Sequence, residues 1–293
     1  MLRDSRNRII AVAAVVAVAV WLSLAFSSQQ LLEITFFDVG DGLCVLIYTP
    51  SGKSMVMDCG TQGRRGDFSV GQRIVAPYIQ SLGLDSIDVA VLSHPHADHM
   101  NGFPGLLKSK PARLVLECGA DYASAEHEEF VKAVKACKAK RRIVRRGQVL
   151  DMGDGVRAEI LNPSPKIRYS DLNDNSIVMR VVYKKVMVML TADAGEFAEK
   201  DMLDSGVNVK AQVLQVGHHG SKTATSPRWL AEVEPSVAVI SCAKNSRYKF
   251  PAKKITERLD AYKVHTYVTG RCGAVTVSTD GSGFKVRTLR KPT

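Results

Sequence analysis

Ser93-His94-Pro95-His96-Ala97-Asp98-His99-Met100-Asn101-Gly102 packs four metal-ligand side chains into six positions, in the order H-x-H-x-D-H. The run before it, Ile87-Asp88-Val89-Ala90-Val91-Leu92, is apolar enough to read as a buried strand. The four ligands then occupy the loop at that strand's carboxyl end. Alternate side chains of an extended segment share a face, so His94 and His96 can point at one ion. Asp98 and His99, past the turn, can face a second ion beside the first. Neutral imidazole and carboxylate suit a divalent cation such as zinc. Three of the chain's seven histidines lie in this stretch, which argues against a chance cluster on a polar loop.

Working outward, two later segments repeat the pattern of a strand followed by ligand types. Val186-Met187-Val188-Met189-Leu190-Thr191 reads as a strand and leads into Ala192-Asp193-Ala194-Gly195. Ala211-Gln212-Val213-Leu214-Gln215-Val216 reads as another and leads into Gly217-His218-His219-Gly220-Ser221. Add Phe37-Asp38-Val39-Gly40-Asp41-Gly42, Asp58-Cys59-Gly60 and Asn173-Asp174-Asn175-Ser176, and the set in this order resembles the metallo-β-lactamase superfamily. Within it, the motifs look like the branch that includes the hydrolase domain of ComEC-type competence proteins. The resemblance covers residues 33–288.

The resemblance implies an α/β chain folded as an αββα four-layer sandwich. It also implies two divalent metal ions, zinc with manganese as the alternative, holding a hydroxide between them. His94 and His96 would bind one ion, Asp98 and His99 the other, with Asp193 bridging. One of His218 and His219 would complete the second site; alignment on the following glycine selects His219 and leaves His218 to touch the substrate. Asn175 would orient a ligand or water, and His218 or Ser221 would stabilise charge or pass a proton. Asp193 has a second reading, as the cap of a helix beginning near Gly195-Glu196. Two departures stand out. Many superfamily members carry another histidine between the hexad and the bridging aspartate, but here only His127 falls there, in the acidic setting Glu126-His127-Glu128-Glu129, which reads as surface. In Tyr248-Lys249-Phe250-Pro251, Phe250 stands where the related branch commonly has histidine.

The first thirty residues are a separate unit. Arg3, Arg6 and Arg8 precede an unbroken apolar run from Ile9 to Leu22 that continues through Ser23-Leu24-Ala25-Phe26. Such a run can just span a bilayer, and basic residues ahead of it keep the N-terminus in the cytoplasm. Residues 1–30 read as a transmembrane anchor, or as a signal segment cleaved near Ala25-Phe26-Ser27, and residues 31–293 as the hydrolase domain. Either way the catalytic part faces outside the cytoplasm.

The net charge of +11 favours an anionic partner such as nucleic acid, anionic lipid or cell-wall phosphate. The densest basic patch, Lys132 to Arg146, contains no acidic residue and reads as a helix face followed by a loop. It has no interleaved aromatics to stack bases. The six cysteines form no C-x-x-C pair, which argues against a thiolate zinc knuckle. Cys44 and Cys59 read as buried thiols, and Cys242 and Cys272 as a candidate disulfide in an oxidising compartment.

The remaining pattern alternates short strands with helices. Strands are expected near 32–39, 43–48, 53–58, 113–117, 156–161, 176–183, 237–241 and 264–268, with a closing hairpin about Asp280-Gly281. A glycine- and arginine-rich loop covers 60–67, and helices are expected near 70–81, 125–138, 196–203, 226–232 and 252–261. Two runs of strands, each followed by helices, imply two sheets face to face under helical layers. The expected function is a metal-dependent phosphodiesterase or nuclease acting on DNA. The alternatives are a phosphocholine-esterase-like hydrolase of small or cell-wall phosphodiesters, and a non-catalytic DNA-capturing surface protein.

Overall fold

Successive residues of each central strand enter different cores, and that alternation builds the layers. The computed structural model describes residues 10, 12–18, 31–62, 69–120, 122–165 and 169–291. In β2 (Val45–Tyr48), Val45 and Ile47 face one core while Leu46 faces another. In β10 (Val186–Leu190), Val188 and Leu190 face the shared core while Met189 faces a third. A period of two with both faces apolar is what a strand covered on both sides requires.

The first sheet has the order β15-β14-β1-β2-β3-β4-β5-β6. Its strands are β1 (Leu32–Phe36), β2, β3 (Ser54–Met57), β4 (Ile87–Leu92), β5 (Ala112–Glu117), β6 (Lys140–Ile143), β14 (Val275–Thr279) and β15 (Phe284–Thr288). The second has the order β13-β12-β11-β10-β9-β8-β7. It comprises β7 (Val149–Asp151), β8 (Val156–Asn162), β9 (Val178–Tyr183), β10, β11 (Val213–Gln215), β12 (Val237–Ile240) and β13 (His265–Val268). Their inner faces share one apolar core that includes Ile34, Phe36, Met57, Val91, Met179 and Val239. The outer face of the first sheet packs against the helices Phe103–Ser109 and Ala125–Ala136, through Phe103 and Phe130. The outer face of the second packs against Glu196–Asp204, Pro227–Val233 and Lys253–Ala261. Each fully buried side chain of this kind contributes roughly 1.5–3 kcal/mol. The expected αββα sandwich is the fold.

The strands β3 to β6 run parallel, as do β10 to β13. Loops at the carboxyl ends of parallel strands are where ligands collect in α/β sheets. The ligand-bearing loops leave β4, β10 and β11 at those ends.

Two expectations change. The basic patch is not a helix followed by a loop: the helix ends at Ala136, and Lys140–Ile143 forms β6, the outermost strand of its sheet. Its four side chains are all exposed, and cations on an edge strand discourage pairing with another chain. Cys242 and Cys272 are free thiols, as are the other four cysteines. Cys272 lies in the core between the sheets and Cys242 in the core beneath the helices, so a sheet layer separates their environments. His127 lies at the surface, as expected, half-buried with its ring stacked at 18° on Phe130, and is not in the metal group. The proposed anchor falls on residues 1–30, of which only 10 and 12–18 are described, as helix. Among the described residues no helix is long and apolar enough to cross a membrane. Most of the 60–67 loop lies outside the described residues.

Candidate metal centre

The hexad leaves β4 in extended backbone and turns into a short helix, Ala97–Met100, so its four ligand types diverge. His94 is fully buried, and its Nε2 lies 2.9 Å from Nδ1 of His96. The other ring nitrogen of His94 is 3.1 Å from Ser93 Oγ and 3.2 Å from Ser176 Oγ. Burial, and then the neighbouring His99, hold the His94 imidazole well below its ordinary pKa, so it stays neutral.

Asp98, His99, Asp193 and His219 come together from three separate loops, with one ligand atom from each within 4.8 Å of all the others. His99 Nε2 is 3.2 Å from Asp193 Oδ1 and 4.0 Å from Asp98 Oδ2. His219 Nε2 is 3.5 Å from Asp193 Oδ1 and 3.4 Å from Asp98 Oδ2. All four residues are buried. Ligand atoms about 2.0–2.2 Å from one tetrahedral ion sit roughly 3.3–3.5 Å apart, so the spacing fits a divalent cation.

Each imidazole in this group is held by its far nitrogen. His99 Nδ1 donates to Asp58 Oδ2 at 2.7 Å, and His219 Nδ1 donates to the Ser241 carbonyl at 2.8 Å. A carboxylate or carbonyl can only accept there, so Nδ1 carries the proton and Nε2 presents a lone pair. His99 Nε2, His219 Nε2 and Asp193 Oδ1 have no hydrogen-bond partner although all are buried. Unsatisfied polar atoms in a protein interior are costly, and three of them converging in one place is the signature of a cation site. The residues present fit a divalent metal.

Charge reinforces the point. Burial would raise the Asp193 carboxyl, but His99 and His219 hold it well below the ordinary carboxylate range. Burial likewise opposes charge on His99, yet the Asp193 and Asp58 carboxylates hold its pKa well above that of a free imidazole. The cluster demands positive charge, which a proton supplies when a metal does not.

The backbone is forced to make this shape. Asp58 (φ 58°), Ala192 (φ 46°), His218 (φ 49°) and His219 (φ 55°) are all left-handed without being glycine. Such residues cost of order 1–3 kcal/mol each and persist where the surroundings over-determine them. Gln215 is one such determinant, its Oε1 accepting the amides of Thr191 and Ala192. Gly60 is another, since a Cβ there would sit 2.3 Å from the Asp98 carbonyl carbon.

The group opens into a cleft of about 320 Å³ whose lining includes His96, Tyr122, Asn173, His218, Tyr248 and Phe250. His218 stands outside the four-ligand group; its Nδ1 is 3.1 Å from Thr223 Oγ1, and its Nε2 is 3.7 Å from Asp193 Oδ2. Asn175 does not line the cleft. Its amide is committed to the preceding loop, donating to the carbonyls of Tyr169 and Asp171 and accepting from the Tyr169 amide. Ser221 does not line it either; its hydroxyl pairs with Thr223 at 3.0 Å, so it supports the residue that holds His218. Asp193 caps no helix, since the amides of Gly195 and Ala198 go to Asp174 Oδ1. Sequence reading gave no role to Asp58, Ser93, Ser176 or Asn173. The Asp58-Cys59-Gly60 motif was the available signal for the first of them.

A family model described as the metallo-beta-lactamase superfamily matches residues 37–244. The chain is 28% identical over 254 residues to ComE operon protein 3 of Bacillus subtilis, covering 83% of this chain and 32% of that protein. It is 30% identical over 258 residues to competence protein ComA of Neisseria gonorrhoeae, covering 88% and 34%. The chain therefore spans about a third of the length of these curated relatives. Among solved structures, the metallo-beta-lactamase fold protein YhfI from Bacillus subtilis superposes with a TM-score of 0.55 at 13% identity, covering 84% of this chain and all of that one. That likeness concerns the fold alone.

Proposed function

The chain belongs to the metallo-beta-lactamase superfamily, with ComEC-type relatives, and on that footing we propose that it is a metal-dependent phosphodiesterase acting on DNA outside the cytoplasm. The observation that carries the reading is the convergence of three unsatisfied buried atoms, His99 Nε2, His219 Nε2 and Asp193 Oδ1, at the base of an open cleft.

Asp98, His99, Asp193 and His219 would hold one ion, and His94 and His96 with Asp193 a second, zinc or manganese. Bound divalent ions supply Lewis acidity and bring the pKa of water toward neutrality. The chain's own side chains do the rest. Asp58 and the Ser241 carbonyl fix two imidazoles in register. His218, steadied by Thr223, presents Nε2 where a proton can be passed to a departing oxygen. The net charge of +11 favours a polyanion. The competence proteins among the relatives favour DNA as that polyanion. The basic residues and apolar run of 1–30 support a membrane-anchored enzyme facing outward, or a secreted one if that segment is cleaved.

A second reading follows from the rings of Tyr122, Tyr248 and Phe250 around the cleft. Aromatic rings also seat quaternary ammonium groups, which suits a phosphocholine-type diester. The full chain supplied with Zn²⁺ or Mn²⁺ should cleave a DNA oligonucleotide. Turnover of a chromogenic phosphocholine ester with DNA left intact would select the second reading, and tight DNA binding without any turnover would select a non-catalytic DNA-capturing protein.

A further inference from the structure

A second groove, about 920 Å³, adjoins the metal cleft. Its lining includes Glu117, Gly119, Tyr122, His127, Arg142 and Ile143. It lies at the carboxyl ends of β5 and β6, next in the sheet to β4, whose carboxyl end carries the hexad. Tyr122 lines both hollows, its ring 6.0 Å from that of His96. The two hollows thus share the Tyr122 ring as a common wall.

We propose that this groove is a track for a single nucleic-acid strand leading out of the metal cleft, with Arg142 as its phosphate contact and Tyr122 as the ring at the junction. The inference rests on the phosphodiesterase reading and adds where the rest of the substrate lies.

The charge is arranged for an anion. Glu117, the acidic residue among the described residues of the lining, is neutralised by Arg141, whose Nε and an Nη donate to its two carboxylate oxygens at 2.6 and 2.8 Å. Among the described residues neither Lys140 nor Arg142 has a carboxylate partner, and both are exposed. Alternation along β6 puts Lys140 on the side of Arg142, just beyond the lining, and Ile143 on the side of Arg141. The same lining also holds apolar surface. Ile143 is 58% exposed, and Tyr122 is half-buried. Cations with adjacent apolar and aromatic faces are what unpaired bases use, whereas a duplex keeps its bases inside and offers phosphates alone. Protection of a sheet edge accounts for the charges on β6. It does not account for a groove that shares a wall with the metal cleft.

The test uses the full chain in nonionic detergent, with binding of a fluorescein-labelled 20-mer of thymidylate read by anisotropy in EDTA. Turnover of bis(p-nitrophenyl) phosphate with Zn²⁺ is measured in parallel. Arg142→Glu should weaken oligonucleotide binding at least fivefold. Arg142→Glu with Lys140→Glu should weaken it further and reduce the slope of log affinity against log salt by about 1.4, at roughly 0.7 per lost single-strand phosphate contact. Diester turnover should stay within twofold, and Lys285→Glu, at the opposite edge of the sheet on β15, should leave binding unchanged. Unchanged affinity in Arg142→Glu, or an equal loss in Lys285→Glu, overturns the track. So does competition by duplex DNA or polyphosphate as strong as that by single strands. If the small diester is hydrolysed while the 20-mer does not bind, the track fails and the hydrolase stands. If Arg142-dependent binding is found with no hydrolysis of any diester, the track stands and the hydrolase fails.

Discussion

Asp58 Oδ2 accepts the Nδ1 proton of His99 at 2.7 Å, and this one hydrogen bond turns the opposite nitrogen of His99 toward Asp193. Asp58 is itself pinned by Ser93, whose amide donates to Oδ1 at 2.7 Å and whose hydroxyl donates to Oδ2 at 2.6 Å. Both residues are fully buried. A carboxylate behind a ligand imidazole fixes its tautomer and raises its basicity. Asp58→Asn should therefore lower metal affinity about 10–100-fold with the fold intact. Competition with a fluorescent zinc chelator measures the affinity, and circular dichroism checks the fold. Wild-type affinity in the variant would mean that Asp58 only packs.

Asp193 reaches three imidazoles, with an oxygen 3.2 Å from His99 Nε2, 3.5 Å from His219 Nε2 and 3.7 Å from His218 Nε2. Its replacement by alanine removes a charge that the surrounding imidazoles rely on. Asp193→Ala and His96→Ala should each reduce hydrolysis of bis(p-nitrophenyl) phosphate by about a hundredfold or more, roughly 3 kcal/mol of barrier. Steady-state rates at saturating Zn²⁺ decide it.

Phe250 stacks on His219 at 26° with ring centroids 6.2 Å apart, and on Tyr248 at 27° and 5.6 Å. The guanidinium of Arg247 lies 4.9 Å from the Tyr248 ring centroid. These planar groups form one wall running from the metal group to the rim. A base stacked on such a wall is worth about 1–3 kcal/mol. Phe250→Ala should raise KM for an oligonucleotide about 5–100-fold and raise KM for bis(p-nitrophenyl) phosphate far less. Equal effects on both substrates would assign Phe250 to holding His219 alone.

Glu199 is buried beneath the loop that carries His218, with Oε2 accepting the Ser226 amide at 2.9 Å and Oε1 the Thr225 amide. Burial pushes its carboxyl up to about 7 against an ordinary 4.5. A carboxyl raised on folding stabilises the fold fully below the unfolded value and loses that contribution as pH climbs through the folded one. Wild type should therefore lose stability relative to Glu199→Gln between pH 4.5 and pH 7, by up to about 3 kcal/mol. Urea unfolding of both proteins at pH 5 and pH 8 measures the difference. A gap that does not change with pH would contradict a protonated Glu199.

The hexad was legible because strand and ligands are contiguous, and β4 spans the residues expected of it. The role of Asp58 was not, because it exists only once β3 pairs in parallel with β4 and brings Asp58 beside Ser93. Asn175 and Ser176 show the limit at single-residue scale. Asn175 ends the short turn Asn173–Asn175 and Ser176 follows it, yet Ser176 reaches His94 while the Asn175 amide is consumed by backbone. β6 escaped notice because Lys140-Arg141-Arg142-Ile143 has no apolar alternation; pairing with β5 decides its conformation against its composition. The disulfide guess failed because proximity to strand ends says nothing about which side of a sheet a thiol faces.

The most direct measurement is the metal content of the purified full chain after dialysis against Zn²⁺ and then metal-free buffer, for wild type and for Asp193→Ala. Wild type should retain at least one ion per chain by emission spectroscopy, and Asp193→Ala should retain little or none. A wild-type chain that keeps no zinc or manganese, or a variant that keeps as much as wild type, would contradict the assignment of the Asp98, His99, Asp193 and His219 group as the metal centre.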